Sequence, residues 1–288
     1  MFGIVFFPFL WLIEPHFFTT HTSALIAMAM VYFVGIYDDF KEASPYIKFI
    51  VLGIAILLSI YGKVVIDQVG VYAGVELSLG WLAFPFTLFA LAGFTNAFNL
   101  IDGLDALASS LGIVILSFLV WLGYRYNDAF LMHTALLLIV ILAAFLVYNR
   151  PPAKVFMGDS GSLFVGFLIA VLSTFALDYI SGVSILFLAA VPLLDTFFVM
   201  YRRKKEGKSM MQADKCHMHH ILLRRFEGSV PKTVVALASF QFVLSWFGVS
   251  VVANLDGVWG FVLFGLLFFA LWRYMQRLIT RYGIECNV

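Results

Sequence analysis

Ten apolar runs recur along this chain with short polar connectors between them, at roughly 1–13, 22–37, 46–61, 79–98, 106–124, 130–148, 162–177, 180–200, 233–252 and 256–274. A helix needs about 20 residues to cross the hydrocarbon layer of a bilayer, with tolerance on either side. Most of these runs meet that length. None shows the period-two alternation of a membrane barrel, and irregular backbone cannot face lipid with its amides unpaired. Composition agrees, because 62% of the 288 residues are hydrophobic, only 12% are charged, and mean hydropathy is +0.99. A soluble domain cannot bury that much apolar surface. The expectation is an all-α polytopic membrane protein of about ten transmembrane helices. It reads as one integral membrane domain over 1–288, with a basic, histidine-bearing segment at 201–232.

Charge sorts the connectors into two sets. One side collects Lys41, Lys48, Arg150, Lys154, Arg202, Arg203, Lys204, Lys205, Lys208, Lys215, Arg224, Arg225, Lys232, Arg273, Arg277 and Arg281. The other holds Lys63 and Arg125 alone. By the positive-inside rule the first side is cytoplasmic, and parity then puts residue 1 there as well. The first run is a poor spanning helix, being short and carrying Pro8, and reads as a truncated or atypical one. A net charge of +1, with no basic stripe carrying interleaved aromatics, gives no sign of a nucleic-acid partner. Cys216 and Cys286 both fall in segments read as cytoplasmic and give no disulfide framework.

The polar groups that could carry chemistry gather on that same side. Asp38 and Asp39 end the second run. Adjacent acids on a helix point about 100° apart, yet at a helix end both can reach one magnesium ion; the alternative is a solvated terminus. In NAFNLIDGLDALA, Asn96, Asn99, Asp102 and Asp105 recur every third residue. They occupy one broad side if the helix continues, whereas a break at Gly103 would let backbone approach a ligand. Polar groups at membrane depth line a cavity or satisfy one another.

KVFMGDSGSLFVG places Asp159 at the mouth of the seventh run. It reads as a capped helix start, or as a phosphate site where Asp159 offers an oxygen to magnesium. The spacing is not that of a P-loop. Phe156 is one of 32 phenylalanines and carries no role by itself. In the segment 202–225, His217, His219 and His220 follow Lys215 and Cys216 without the paired spacing of a structural zinc site, which favours phosphate or sugar contacts. Arg202 and Arg203 serve topology or anionic headgroups, and Arg224 and Arg225 suit a diphosphate. Asp195, in PLLDT, is an acid in apolar surroundings, either a substrate contact or a protonated packing residue. His16, His21 and His133 have no assembled partners.

Taken in order, Asp38–Asp39, NAFNLIDGLDALA, VFMGDSGSLFVG, PLLDT with YRRKKEGKSM, and ADKCHMHH resemble the polyprenyl-phosphate N-acetylhexosamine-1-phosphate transferases. The nearest group is the bacterial undecaprenyl-phosphate GlcNAc-1-phosphate transferases. The resemblance implies transfer of a sugar-1-phosphate from a UDP-N-acetylhexosamine to undecaprenyl phosphate, with release of UMP and the start of surface-polysaccharide synthesis. It implies a bacterial inner-membrane location and a cytoplasmic active site. Magnesium, or manganese in its place, would sit at Asp159 near Asp38. Asp38 or Asp39 would ready the lipid phosphate. Asn99 and Asp102 would border the nucleotide pocket, with Asn149 nearby, Phe156 stacked on the base and Asp195 on the sugar side.

The histidine segment resembles the hexosamine branch rather than the muramoyl-pentapeptide branch. The family has eleven helices and an outward N-terminus, and its first helix and following basic loop have no counterpart here. Ala106 stands where the pattern has glycine, a harmless exchange if φ is negative. The expected partners are the UDP-sugar, the prenyl phosphate and the phospholipid bilayer, with a homodimer as the assembly to consider. A transporter or flippase predicts related halves, which are not found. An inactive, shortened homologue with an assembly role is the other alternative.

Overall fold

The computed structural model describes residues 2–41, 44–207, 216–284 and 286. The chain runs through α1 (Phe2–Ile13), α2 (Pro15–Thr20), α3 (Thr22–Lys41), α4 (Pro45–Tyr61), β1 (Gln68–Tyr72), β2 (Val75–Ser78), α5 (Ala83–Leu100), α6 (Leu107–Tyr126) and α7 (Ala129–Asn149). It continues through α8 (Gly158–Ala176), α9 (Gly182–Leu188), α10 (Ala190–Lys205), α11 (Met218–Arg225), α12 (Val230–Ser250) and α13 (Gly257–Tyr282). Among the described residues, seven helices are long and apolar enough to cross a membrane, and counting α9 with α10 as one bent span makes eight.

That corrects the count of about ten. An apolar run is not always a continuous helix of spanning length. α1 has 12 residues, roughly 18 Å of rise, and α4 has 17, roughly 26 Å, against a hydrocarbon layer of about 30 Å. Pro8 lies inside α1 without ending it. Phe2, Phe6 and Leu10, four apart, are buried, with Phe2 against Phe145 of α7 and Phe6 against Phe164 of α8.

α8 is the centre of the bundle. Nearly all its residues are buried, and α3, α5, α6 and α7 pack around it. In lipid, burial against protein yields close dispersion contact rather than escape from water, so small residues matter. Gly35 of α3 lies against the backbone of Asp159 and Ser160, where any Cβ would collide. Outward faces keep their large apolar groups uncovered, Phe89 at 75% and Ile50 at 62%. An acyl chain covers such a surface, whereas water would leave a large exposed apolar patch.

α9 and α10 meet at an 89° bend. The bend leaves backbone groups without helical partners, and α12 supplies them. Gln241 donates from Nε2 to Leu188 O at 2.7 Å and accepts the Val191 N–H at 2.8 Å. Ser245 Oγ donates to the same Leu188 carbonyl at 2.8 Å. Each buried group left open would cost about 1–3 kcal/mol, so these side chains hold the break.

At the far end from the acids, β1 and β2 form an antiparallel hairpin, Tyr72 opposite Val75. Its turn, Ala73–Gly74, has both residues at positive φ, which matches the strand twist. Asp256 caps α13 through Val258 N and also accepts Gly74 N–H at 3.1 Å. This strand pair was not anticipated. Two further expectations are overturned. Cys216 and Cys286 form a disulfide with Cα atoms 5.2 Å apart, because the C-terminal tail returns to the start of α11 across 70 residues of sequence. His133 Nδ1 lies 2.7 Å from Glu14 Oε1, and His21 Nδ1 lies 2.8 Å from Gly62 O, so both histidines have partners from distant segments.

Candidate active site

Asp38 and Asp39, neighbours in the last turn of α3, do different work. Asp39 turns to the N-terminus of α8, whose first amides have no intrahelical partner. Its carboxylate accepts Asp159 N–H at 2.8 Å and Ser160 N–H at 3.2 Å. The amides that the sequence offered to phosphate are thus held by Asp39. Asp38 turns to Lys48 in α4, whose Nζ is 3.0 Å from Asp38 Oδ2 and 2.9 Å from Asp159 Oδ2. Asn99 donates from Nδ2 to Asp159 Oδ1 at 3.1 Å and to Ser162 Oγ at 2.8 Å, and Ser162 donates to Gly158 O. Asp159 therefore has one oxygen oriented by an amide and the other aimed at a cation it shares with Asp38.

Lys48 was not among the expected site residues. Its signal was a cation near the start of an apolar helix, where the macrodipole disfavours positive charge unless acids compensate.

α5 ends at Leu100, so Asn96 and Asn99 stay on the helix while Asp102 and Asp105 lie in the loop beyond it. The Asn96 side chain makes no hydrogen bond to protein among the described residues and is half-buried. Burial pushes the Asp102 carboxyl up to about 7, with the nearby negative charges of Asp159, Asp105 and Asp39 adding to the shift. Asp105 accepts Ala153 N–H at 2.9 Å. Asn149 is buried and fully engaged with backbone, accepting Ala106 N–H and donating to Val155 O, both at 2.9 Å. These two side chains clamp the loop 101–106 to the loop after α7. Phe156, on that second loop, is 75% exposed and free to take a planar group on its face.

Ala106 has φ +67, so the condition for a harmless exchange, a negative φ, is not met. A non-glycine residue in this region costs about 1–2 kcal/mol.

The histidine segment is anchored from beneath. Asp195, 1% exposed on α10, lies 2.7 Å from His217 Nδ1 and accepts Met218 N–H at 2.5 Å. Asp195 thereby sets the ring and the start of α11. His219 is buried with neither ring nitrogen partnered among the described residues. Its Nε2 faces Gly103 so closely that a side chain there would collide. Burial pushes the His219 imidazole down to about 3, and its neighbours His220 and His217 push the same way against Asp195, so it is neutral at neutral pH. His220 is half-buried beside it.

The remaining predicted contacts are dispersed. Arg202 pairs at 2.8 Å with Glu206, the residue just past the end of its helix, Arg203 is buried in the same turn, and Arg224 is exposed at the end of α11. Lys215 lies outside the described residues. Among the described residues no set of three histidine, cysteine or acidic side chains closes on a metal position. What does converge is a pair of carboxylates, Asp38 and Asp159, on one cationic point.

A polytopic membrane protein with Asp38, Asp39, Asp102, Asp105 and Asp159 gathered at one end of the bundle, rather than strung through its middle, is the class these observations define. The chain belongs to glycosyl transferase family 4, whose profile matches residues 21–177, more than half of its length. It is 33% identical over 260 residues to the probable undecaprenyl-phosphate N-acetylglucosaminyl 1-phosphate transferase of Bacillus subtilis (strain 168), covering 87% of this chain and 71% of that protein. It is 32% identical over 221 residues to the undecaprenyl-phosphate alpha-N-acetylglucosaminyl 1-phosphate transferase of Escherichia coli (strain K12), covering 72% of this chain and 60% of that one. The Haemophilus influenzae protein of the same description matches at 33% over 245 residues, with 77% and 69% covered. The chain thus spans between 60% and 71% of the length of these relatives.

Proposed function

We propose that this chain is a multi-pass enzyme of the bacterial inner membrane that transfers N-acetylhexosamine-1-phosphate, with GlcNAc-1-phosphate the first choice, from a UDP-sugar to undecaprenyl phosphate. The observation that carries the reading is the Asp38–Lys48–Asp159 convergence, set in a family whose relatives bear that activity in their descriptions. The active end faces the cytoplasm, in keeping with the side that collects sixteen of the eighteen lysines and arginines.

An oxygen of the prenyl phosphate attacks the phosphorus that bears the sugar. The bond from that phosphorus to the bridging oxygen breaks, and UMP leaves with that oxygen. A phosphate monoester has its second pKa near 6, so at neutral pH the nucleophile needs little help from a base. The difficulty is charge, since several negative groups must meet in one place. Lys48 offsets part of that charge, and Asp38 orients the attacking phosphate. Asn99 fixes Oδ1 of Asp159, and Asp39 holds the α8 terminus that carries Asp159. The exposed face of Phe156 takes the uracil, and neutral His219 offers a hydrogen bond to phosphoryl or sugar oxygen.

The donor set fits a hard divalent cation. Magnesium takes one or two carboxylates and fills its other positions with water and phosphate oxygens, so two convergent aspartates suffice. Asp159 and Asp38 would hold magnesium, or manganese, and it would neutralise the diphosphate and the departing UMP. A homodimer is a separate proposal, checked by mass in detergent.

The test is label transfer from radioactive UDP-GlcNAc into undecaprenyl phosphate by the purified chain in lipid with magnesium, beside Asp159→Asn. Lipid-phase label that chelator abolishes and the variant lacks supports the reading. Silence with several UDP-sugars, from protein that is folded by thermal melting, sinks it.

A further inference from the structure

α13 leaves much of one side uncovered by protein, with Leu266 61% and Phe269 55% exposed. Beyond Phe269 the same broad face continues as Arg273, Arg277 and Arg281. Steps of four residues stack side chains along one side of a helix. Lys205, at the end of α10, stands across from them, with Nζ 4.9 Å from the centre of the Trp272 ring. Together these side chains line a groove of about 510 Å³. It lies at the end of the bundle that holds the acids, since Arg225 of α11 donates to Tyr274 of α13 while His219 of α11 faces Gly103.

Among the described residues, none of these four cations has a carboxylate partner. Like charges four apart on a helix repel. The macrodipole at the C-terminus of α13 favours cations by about 0.3–1 kcal/mol, but only within the last turn. That accounts for Arg281 and not for Arg273, more than two turns from the end at Tyr282. Membrane orientation asks only for positive charge in the connectors and does not require it aligned on a groove. An anion is what the arrangement lacks. The groove's arginines continue the face that carries exposed Leu266 and Phe269, and guanidinium forks match phosphate oxygens.

We infer that the α10–α13 groove binds the headgroup phosphate of an anionic bilayer phospholipid, with an acyl chain along Phe269 and Leu266. The inference does not depend on the transfer reaction. It commits to a phospholipid because cations and apolar stripe are continuous on one helix face, as headgroup and chain are in one lipid.

The test compares spin-labelled phosphatidylglycerol with spin-labelled phosphatidylcholine for association with the full chain in phosphatidylcholine bilayers. Phosphatidylglycerol is expected to be preferred. The triple variant Arg273→Gln/Arg277→Gln/Arg281→Gln should lose roughly fivefold of that preference per charge removed. The corresponding triple lysine variant should retain the preference, and single Arg277→Gln serves if the glutamine triple fails to fold by circular dichroism. No preference in the parent chain overturns the inference, as does full preference in the glutamine variants. Displacement of the labelled lipid by glycerol 1-phosphate or inorganic phosphate would make the groove a soluble-anion site and overturn it. Stronger displacement by undecaprenyl phosphate than by phosphatidylglycerol would make it a substrate path and overturn it likewise.

Discussion

Lys48 holds its ammonium 2.9 Å from Asp159 Oδ2, across 111 residues of sequence, and within 3.0 Å of Asp38 Oδ2. Both side chains are partly open to solvent, 29% for the lysine and 25% for Asp159. Screening therefore keeps the pair modest as a source of stability. Its importance is placement, since it puts one positive charge where two carboxylates and an incoming phosphate must meet.

Replacing that lysine separates its two effects. Lys48→Met should lower kcat roughly 10²-fold, the scale for losing one preorganised charge at a reacting group. The same variant should need less magnesium for half-maximal rate, because the ammonium no longer competes for Asp38 and Asp159. A magnesium titration of parent and variant checks both, and an unchanged midpoint would remove the competition argument.

Asp195 touches His217 and Met218 at the start of α11. Asp195→Asn removes the charge from a buried pair while keeping a similar shape, and should cost about 3 kcal/mol. Thermal melting in detergent should drop accordingly. KM for the UDP-sugar should rise, since α11 and its histidines lose their anchor. A variant with normal melting and normal KM would show that Asp195 does not position the segment.

Ala106 at φ +67 invites the opposite outcome. Ala106→Gly removes left-handed strain of about 1–2 kcal/mol, less the extra freedom glycine gains in the unfolded chain, about 0.5–1 kcal/mol. The net expectation is a small rise in melting temperature with activity kept. Ala106→Val should fall in both. Equal melting of all three chains would mean that the loop relaxes at no cost.

Asp102 and His219 pull stability in opposite directions with pH. Burial holds Asp102 near 7 in the folded chain, against an ordinary value of about 4. Between those values the folded state keeps a proton that the unfolded state has lost, so stability falls as pH rises. His219 is held near 3 against about 6.5, so over that range the unfolded state binds the extra proton and stability rises with pH. Asp102→Asn should therefore leave a rising limb below pH 6.5, and His219→Gln a falling limb between about pH 4 and 7. Melting curves across this range check it. Flat profiles in both variants would contradict the assigned burial.

Much of this was legible because hydropathy and membrane depth are local properties of a sequence. The apolar runs, the clustering of acids and histidines in a few connectors, and the motifs that carry the family resemblance all lie within short windows. Asn99, Asp159 and Asp38 were singled out that way, and they do meet. The helix count was less secure. An apolar run does not reveal whether it stays helical for 30 Å, and the residues that support the break between α9 and α10, Gln241 and Ser245, come from another helix.

The sequence by itself determined a helical membrane protein with its polar groups at the helix ends and its candidate site on one side, because burying charge and unpaired backbone in lipid is too costly to allow much else. Only the tertiary structure decided which acid serves which purpose. Asp38 faces a lysine while Asp39 caps a helix, Asn149 clamps two loops, Asp195 holds His217, and Ala106 sits at positive φ. Cys216 reaches Cys286 only because the tail folds back. Each of these depends on how side chains from distant segments converge when helices pack. Spacing along one chain carries no record of that convergence.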